Sequence, residues 1–379
     1  MALGVVATIP VGGSPNRVAV TPDGGRVYVL NGGGDSVSVI STAVNAVSTT
    51  ITVGDLPDSV AITPDGTRAY VSIENDGTVS VISTATNTIT STIAVGNFAS
   101  GVAISPDGTR AYVATLENTA GSGVVVVLDT VTNTISTTIP VGGHPHSVAV
   151  SPDGAHAYVT DWNLAASVWV INTVTNTVID TVQVGDLPSG VAVSPDSTRV
   201  YVTNAAPNGT VSVIDAATNA VTATIPVGNS PIGVGVSPDG ARVYVTNRGF
   251  PGPGSLQVIN AATNNVTATI PVGEDAWALA VSPDGKRVYV ANLGDDSVSV
   301  IGETLALRPD DLPDLVGDLL GGVAGDGGGW LIVGNHFYKI PPRPLAVARL
   351  ARAIAPFLGR PIEDRKLGEH LRKALNRRK

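Results

Sequence analysis

Short runs of β-branched residues fill the first three hundred positions, and turn residues cut them at nearly regular intervals. Residues 190–228 show the pattern: GVAVS, a Pro-Asp-Ser turn, RVYVTN, then VSVID, a Thr-Asn turn and VTATIPVG. Each run is a few residues long, rich in Val, Ile, Thr and Tyr, and bounded by Gly, Pro, Asn or Asp, which predicts strands joined by antiparallel hairpins. We label the four runs of a unit a to d in chain order.

The unit repeats. The tetrapeptide (Ser/Thr)-Pro-Asp-(Gly/Ser) begins at Thr21, Thr63, Ser105, Ser151, Ser194, Ser237 and Ser282, with spacings of 42, 42, 46, 43, 43 and 45 residues. Four strands in each of seven such units predict an all-β fold, a seven-bladed β-propeller. The ends support closure of the ring. The seventh unit has strands a (Ala278–Val281), b (Arg287–Ala291) and c (Ser297–Ile301), but no d. A matching d run, Val5–Val11, stands at the N-terminus, and its pairing with the last unit would remove the edges an open array exposes.

Strand b carries YVTN at Tyr201–Asn204 and Tyr244–Asn247, with YVLN, YVSI, YVAT, YVTD and YVAN elsewhere. With the Pro-Asp-Gly and Ala-Thr-Asn turns, residues 4–302 resemble the YVTN-type propeller repeat of archaeal surface-layer and bacterial envelope proteins. The resemblance implies the fold and an extracytoplasmic or cell-envelope setting. It names no ligand, because propellers host binding, scaffolding and catalysis alike.

Antiparallel order puts the a–b and c–d turns on one side of the disc and the b–c and d–a connections on the other. The first side hardly varies. Its recurring Asp and Arg, as in Asp23 and Arg26 or Asp107 and Arg110, are expected to bond the turn and form a weak surface pair, with His156 replacing the Arg in the fourth unit. The second side varies. From the Val of "YV" to the first apolar residue of strand c the spans are 8, 8, 12, 9, 9, 11 and 8 residues, which accounts for every change in repeat length. Insertions confined to one side mark the binding face of a repeat protein. Two residues before the "VAV" run stand Asn16, Asp58, Ser100, His146, Ser189, Ile232 and Trp277, a ring expected at the mouth of the central channel.

Charge sorts the same way. The variable side takes Asp35, Asp55, Asp58, Glu74, Asp76, Glu117, Asp161, Asp186, Glu274, Asp275, Asp295 and Asp296 against Arg17 and Arg248, so nucleic acid is not expected as a partner for the propeller. The ligand-binding candidates are Asp58, Glu74, Glu117, Asp161, Trp162, Arg248 and Trp277. His144-Pro-His146 with Asp161 is the candidate set for a divalent metal, the one cofactor considered. No nucleophile elbow is present, and with 0 Cys neither disulfides nor thiolate sites are available. These readings point to a non-catalytic binding or scaffold propeller of the cell envelope, with a protein or polysaccharide partner at the variable face. The alternative is a metal-assisted lyase or hydrolase at the channel mouth.

The repeat ends at Ile301, and a small α/β accessory segment is expected after it. Residues 303–329 read as a linker with a short helix, Asp311–Leu320. Residues 330–379 read as a hairpin and two basic amphipathic helices, with apolar stripes at Val347, Leu350, Ala351, Ile354 and Leu358 and at Leu367, Leu371, Ala374 and Leu375. Residues 339–379 hold 12 Lys or Arg and 3 Asp or Glu. This tail is expected to dock on the propeller or on an anionic surface. No targeting segment is visible at the N-terminus.

Overall fold

The computed structural model describes residues 2–116, 122–162, 166–249 and 252–304, and, as backbone, 329–333 and 336–340. Seven four-stranded antiparallel sheets follow one another along the chain as a seven-bladed propeller. The first blade consists of Pro15–Val20, Arg26–Asn31, Ser36–Ser41 and Ala46–Thr52. The seventh takes Ala276–Val281, Val288–Asn292 and Ser297–Thr304 from one end of the chain and Ala2–Pro10 from the other. The N-terminal strand therefore supplies strand d, as the repeat count requires. Strand a of this blade starts two residues earlier than its apolar run, because a register shift after Ala276 carries the ladder past Trp277.

The a strands of successive blades touch in an unbroken circle, from Pro15–Val20 round to Ala276–Val281 and back, so strand a is innermost. Strand b is buried along most of its length in every blade, and strand d exposes all but a few positions, as in Thr134–Pro140. The core lies between blades. Tyr28, Leu30, Val37 and Val39 of the first pack on Val71, Ile73 and Ile82 of the second, and the Tyr of strand b is fully buried in all seven.

The seams explain the repeated residues. The Tyr28 hydroxyl donates to Asn87 Oδ1 and that of Tyr70 to Asn133 Oδ1, each at 2.8 Å and each in the c–d turn of the next blade. The third residue of the YVTN pattern ties the inner strands. Thr160, Thr203 and Thr246 donate their hydroxyls to the carbonyls of Ser189, Ile232 and Trp277 in the following blade, at 2.7–2.9 Å. The fourth residue works inside its own blade: Asn204 Nδ2 donates to Thr210 Oγ1 and Ser212 Oγ at 2.8 and 3.0 Å. It also dictates a glycine, since a Cβ on Gly185 would stand 2.7 Å from the Asn204 carboxamide.

Arg26, Arg68, Arg110 and Arg199 reach past the Asp of their own turns, where a weak surface pair was expected. Arg110 Nη1 donates to the Thr173 carbonyl at 2.6 Å, and Arg26, Arg68 and Arg199 reach the carbonyls of Thr84, Thr130 and Ala261. Each is a strut to the next blade. The Asp instead caps its turn, accepting the hydroxyl two residues earlier and the backbone N–H two residues later, as Asp107 does from Ser105 and Thr109 at 2.5 and 3.0 Å. A turn amide and hydroxyl satisfy the carboxylate at short range, and the guanidinium is left for the more distant carbonyl.

By internal contacts the chain divides into Thr8–Ile301 and a second unit of Met1–Ala7 with Gly302–Lys379. In the second unit Gly329–Val333 pairs antiparallel with His336–Ile340, Val333 opposite His336. The helix expected at 311–320 and both basic helices lie outside the described residues, as does the docking expected of them. No helix among the described residues is long and apolar enough to cross a membrane.

Candidate functional site

Backbone hydrogen bonds between loops confirm which connections share a face. Glu74 N donates to the Leu56 carbonyl at 2.9 Å and Asn97 N to that of Leu116, linking b–c to d–a. Thr42 and Thr84 bond Gly25 and Thr67, linking c–d to a–b. On the latter face a groove between the fifth and sixth blades is lined by Asp196, Arg199, Tyr201, Pro238 and Asn260, and its floor is the Arg199 strut. The repeated residues thus account for that groove, and the singular side chains collect on the other face.

Much of the acidity there has a local use. Asp35 Oδ1 accepts from Leu56 N at 3.1 Å and Asp296 Oδ1 from Ser14 N at 2.7 Å, each in the d–a loop entering the next blade. Asp76 and Asp295 accept from Asp55 N and Glu274 N, in the segments that lead into their own blades, at 3.2 and 2.6 Å. These carboxylates pin the loops that carry the ring of mouth residues, so four of the acids counted on this face act as loop staples.

Asp161 is the clearest correction. It is not a b–c loop residue but the last residue of strand b, in the position of the YVTN asparagine, and only 2% exposed. Its Oδ1 accepts from His144 N at 2.8 Å, and burial pushes its carboxyl above the usual range, against the pull of that bond. It therefore closes the d–a loop under His144. Among the described residues no group of three or more His, Asp and Glu is placed to hold a metal ion. The trio His144, His146 and Asp161 is not brought together as ligands.

His146 has a different setting. Its ring packs on Trp162, centroids 4.6 Å apart and planes at 46°, while the Trp162 backbone N–H donates to the His144 carbonyl at 2.9 Å. Burial pushes the imidazole down to about 4, reinforced by the positive charge of Arg17 and opposed by Asp58. At pH 7 it is neutral.

Asp58 and Glu74 lie beside one another in the second blade. Burial first, and then the charge of Asp58, push the Glu74 carboxyl up. Across the seam Asn16 donates from Nδ2 to the Pro57 carbonyl at 2.9 Å. In the sixth and seventh blades Arg248 forms a two-pronged pair with Asp275, Nε to Oδ1 at 2.6 Å and Nη2 to Oδ2 at 2.9 Å. Its guanidinium carbon stands 4.5 Å from the centroid of the Trp277 ring. A cation over an indole face adds about 0.5–2 kcal/mol and fixes both groups.

The expected residues thus fall into separate pairs, Asp58 with Glu74 and Arg248 with Trp277, while Trp162 packs on His146. Glu117 lies outside the described residues. Sequence reasoning did not single out Arg17, Asn16 or Asp275 as site residues. Arg17 was the signal for the first: it is the only cation among the strand-a positions that otherwise hold Ser, Gly or Ala. Asp275 had no such signal, because its partner Arg248 is 27 residues away across an irregular loop.

No family model and no curated protein matches this chain. Among solved structures, Kuenenia stuttgartiensis hydrazine synthase is similar, with a TM-score of 0.71 and 24% identity over 76% of this chain and 96% of that one. At that identity the likeness shows the propeller fold alone.

Proposed function

We propose that this protein is a non-catalytic binding or scaffold propeller of the cell envelope, which takes a protein or polysaccharide partner on the b–c and d–a face, centred on the channel mouth. One observation carries the reading: the asymmetry of the two faces. On one, the recurring Asp residues cap their turns, and Arg26, Arg68, Arg110 and Arg199 brace the next blade. On the other, non-repeated charged and aromatic groups stand half-buried around the inner strands, held by loops that Asp35, Asp76, Asp295 and Asp296 staple. Preorganised aromatic platforms such as Trp162 and Trp277 give contact area at low entropic cost, which suits recognition. The envelope setting follows the repeat resemblance and the absence of cysteine from the sequence. The lyase or hydrolase alternative depended on convergence of His144, His146 and Asp161, and Asp161 is engaged elsewhere.

The test is retention of the protein on envelope polysaccharide and envelope protein fractions from its own source. Trp162→Ala with Trp277→Ala is expected to abolish retention, whereas Val131→Asp with Val174→Asp, on exposed c–d turns, leaves it intact. The reverse pattern would overturn the proposal.

A further inference from the structure

Each d–a connection turns into its inner strand through a residue with left-handed backbone. These are Ser14, Leu56, Phe98, Gly143, Leu187, Ser230 and Asp275, with φ between 50° and 60°. Such a φ favours glycine and is an outlier for a bulky side chain. The fourth blade uses glycine, and the first, sixth and seventh use Ser or Asp. The second, third and fifth carry Leu56, Phe98 and Leu187, and the proline after each leucine pulls its backbone further towards the extended region. The large apolar choices therefore lie on one arc of the mouth, from the second blade to the fifth, with Trp162 of the fourth between them.

Burial does not account for Phe98, which is 50% exposed; Leu56 and Leu187 are half-buried. The other large exposed hydrophobics among the described residues sit on c–d turns or d strands, as Val131 and Ile135 do, so Phe98 is the one on the b–c and d–a face. The loops hold these residues firmly. Leu56 N donates to Asp35 Oδ1 at 3.1 Å, and the Leu56 carbonyl accepts from Glu74 N at 2.9 Å. The Leu187 carbonyl accepts from Ala205 N at 2.9 Å, and Asn97, next to Phe98, exchanges backbone bonds with Leu116 at 2.9 and 2.8 Å. Backbone strain kept under a fixed, solvent-facing side chain points to a use for that side chain.

Charge indicates the partner. Asp55 precedes Leu56 and Asp186 precedes Leu187, in the sequence Gly-Asp-Leu-Pro shared by residues 54–57 and 185–188. Both carboxylates are exposed, and neither is ion-paired among the described residues. An anion beside an apolar side chain is complemented by a cation beside an apolar side chain, which a protein segment supplies. A sugar ring stacks on an aromatic face but has no apolar side chain for the two leucines to pack against.

We propose that the arc of Asp55, Leu56, Phe98, Asp186 and Leu187 docks a segment of a protein partner in which large apolar side chains alternate with Lys or Arg. This rests on the mouth face being the recognition face, and it selects protein over polysaccharide there.

The test is a calorimetric titration of the full chain with acetyl-Lys-Phe-Lys-Leu-Lys-amide and with its Glu-Phe-Glu-Leu-Glu and Lys-Ser-Lys-Ser-Lys counterparts. The first peptide is expected to bind at least about tenfold more tightly than either counterpart. Phe98→Gly should weaken it by at least about tenfold, and Asp55→Asn with Asp186→Asn by about fivefold, the worth of two exposed charge pairs. Val131→Ser on a c–d turn should leave it unchanged. Glycine suits the left-handed backbone, so Phe98→Gly should melt no lower than the parent, whereas a side chain kept only to pack the loop would lower Tm and leave binding as it was. Equal binding of the three peptides, no binding of the first, or unchanged binding in Phe98→Gly or in the aspartate pair would each overturn the inference. If the first peptide fails while the tryptophan variants still lose the envelope fractions, the docking arc falls and the recognition face stands.

Discussion

Replacing Arg110 by Met removes one interblade strut and keeps the length of the side chain. Arg110 Nη1 meets the Thr173 carbonyl at 2.6 Å, and Thr173 is 4% exposed, so the change leaves an acceptor in a protected seam. A hydrogen bond from a charged donor contributes about 1.5–3 kcal/mol, and the half-exposed guanidinium places this one near the lower figure. For a unit of about 300 residues, an unfolding entropy of about 2.1 cal/mol/K per residue converts 1 kcal/mol into roughly 1.6 °C. Arg110→Met should therefore lower the calorimetric Tm by about 2–3 °C. The fourth blade offers the converse, since His156 stands where the other blades have Arg. His156→Arg should let a guanidinium reach the carbonyl of Ala216 and raise Tm by about 1–2 °C. A double-mutant cycle of Arg110→Met with Asp107→Asn separates this account from a salt bridge within the turn. The strut predicts coupling below about 0.5 kcal/mol. Unchanged melting in both Arg110→Met and His156→Arg, or coupling above about 1 kcal/mol, would refute the reasoning.

Three further outcomes follow from the same structure. Gly101→Ala would set a Cβ 2.4 Å from the His146 carbonyl on the neighbouring inner strand, and the forced separation of the third and fourth blades should cost about 1–3 kcal/mol in chemical denaturation. Asp23, Asp65, Asp107, Asp153, Asp196, Asp239 and Asp284 are all held below the usual carboxylate range, first by the preceding hydroxyl, and Asp196 to about 2. Depressed native values stabilise the fold above the unfolded value near 3.9, so Tm should hold down to about pH 4 and fall from there towards pH 2, with Asp196→Asn blunting the fall. Deleting residues 2–12 withdraws strand d of the seventh blade, including Ile9 at 2% exposure, and should lower Tm by well over the roughly 3–5 °C that one buried side chain accounts for; a shift within that range would contradict closure by this strand.

The propeller was legible because its information is periodic. Strand length, turn residues and the displaced d strand each recur or fail to recur at countable positions, and a ring of seven is the arrangement that uses them all. Arg26 and Asp23 show the limit of such counting. Fixed spacing said that they belong to one turn, yet the hydrogen bonds of the arginine run to Thr84, 58 residues on, and adjacency in sequence hid a contact set by the next blade. Asp161 shows another. Read as the first residue of a loop it faces the channel, and read as the fourth residue of the YVTN pattern it is buried under the d–a loop of its own blade; the register of strand b decides. The mouth ring could be enumerated by position, but that His146 stacks on Trp162 and responds to Arg17 depends on convergence across the channel, which no spacing encodes.

The central claim is that one face recognises a partner and the other only holds the ring together. Amide hydrogen exchange of the full chain, with and without a retained envelope fraction, tests it most directly. Protection is predicted at the d–a and b–c segments, residues 13–17, 55–58, 74–77, 142–147 and 273–277, with none added at the c–d turns 42–45, 84–87, 130–133 and 173–176. Protection spread over the c–d turns, or absent from the mouth segments, would contradict it.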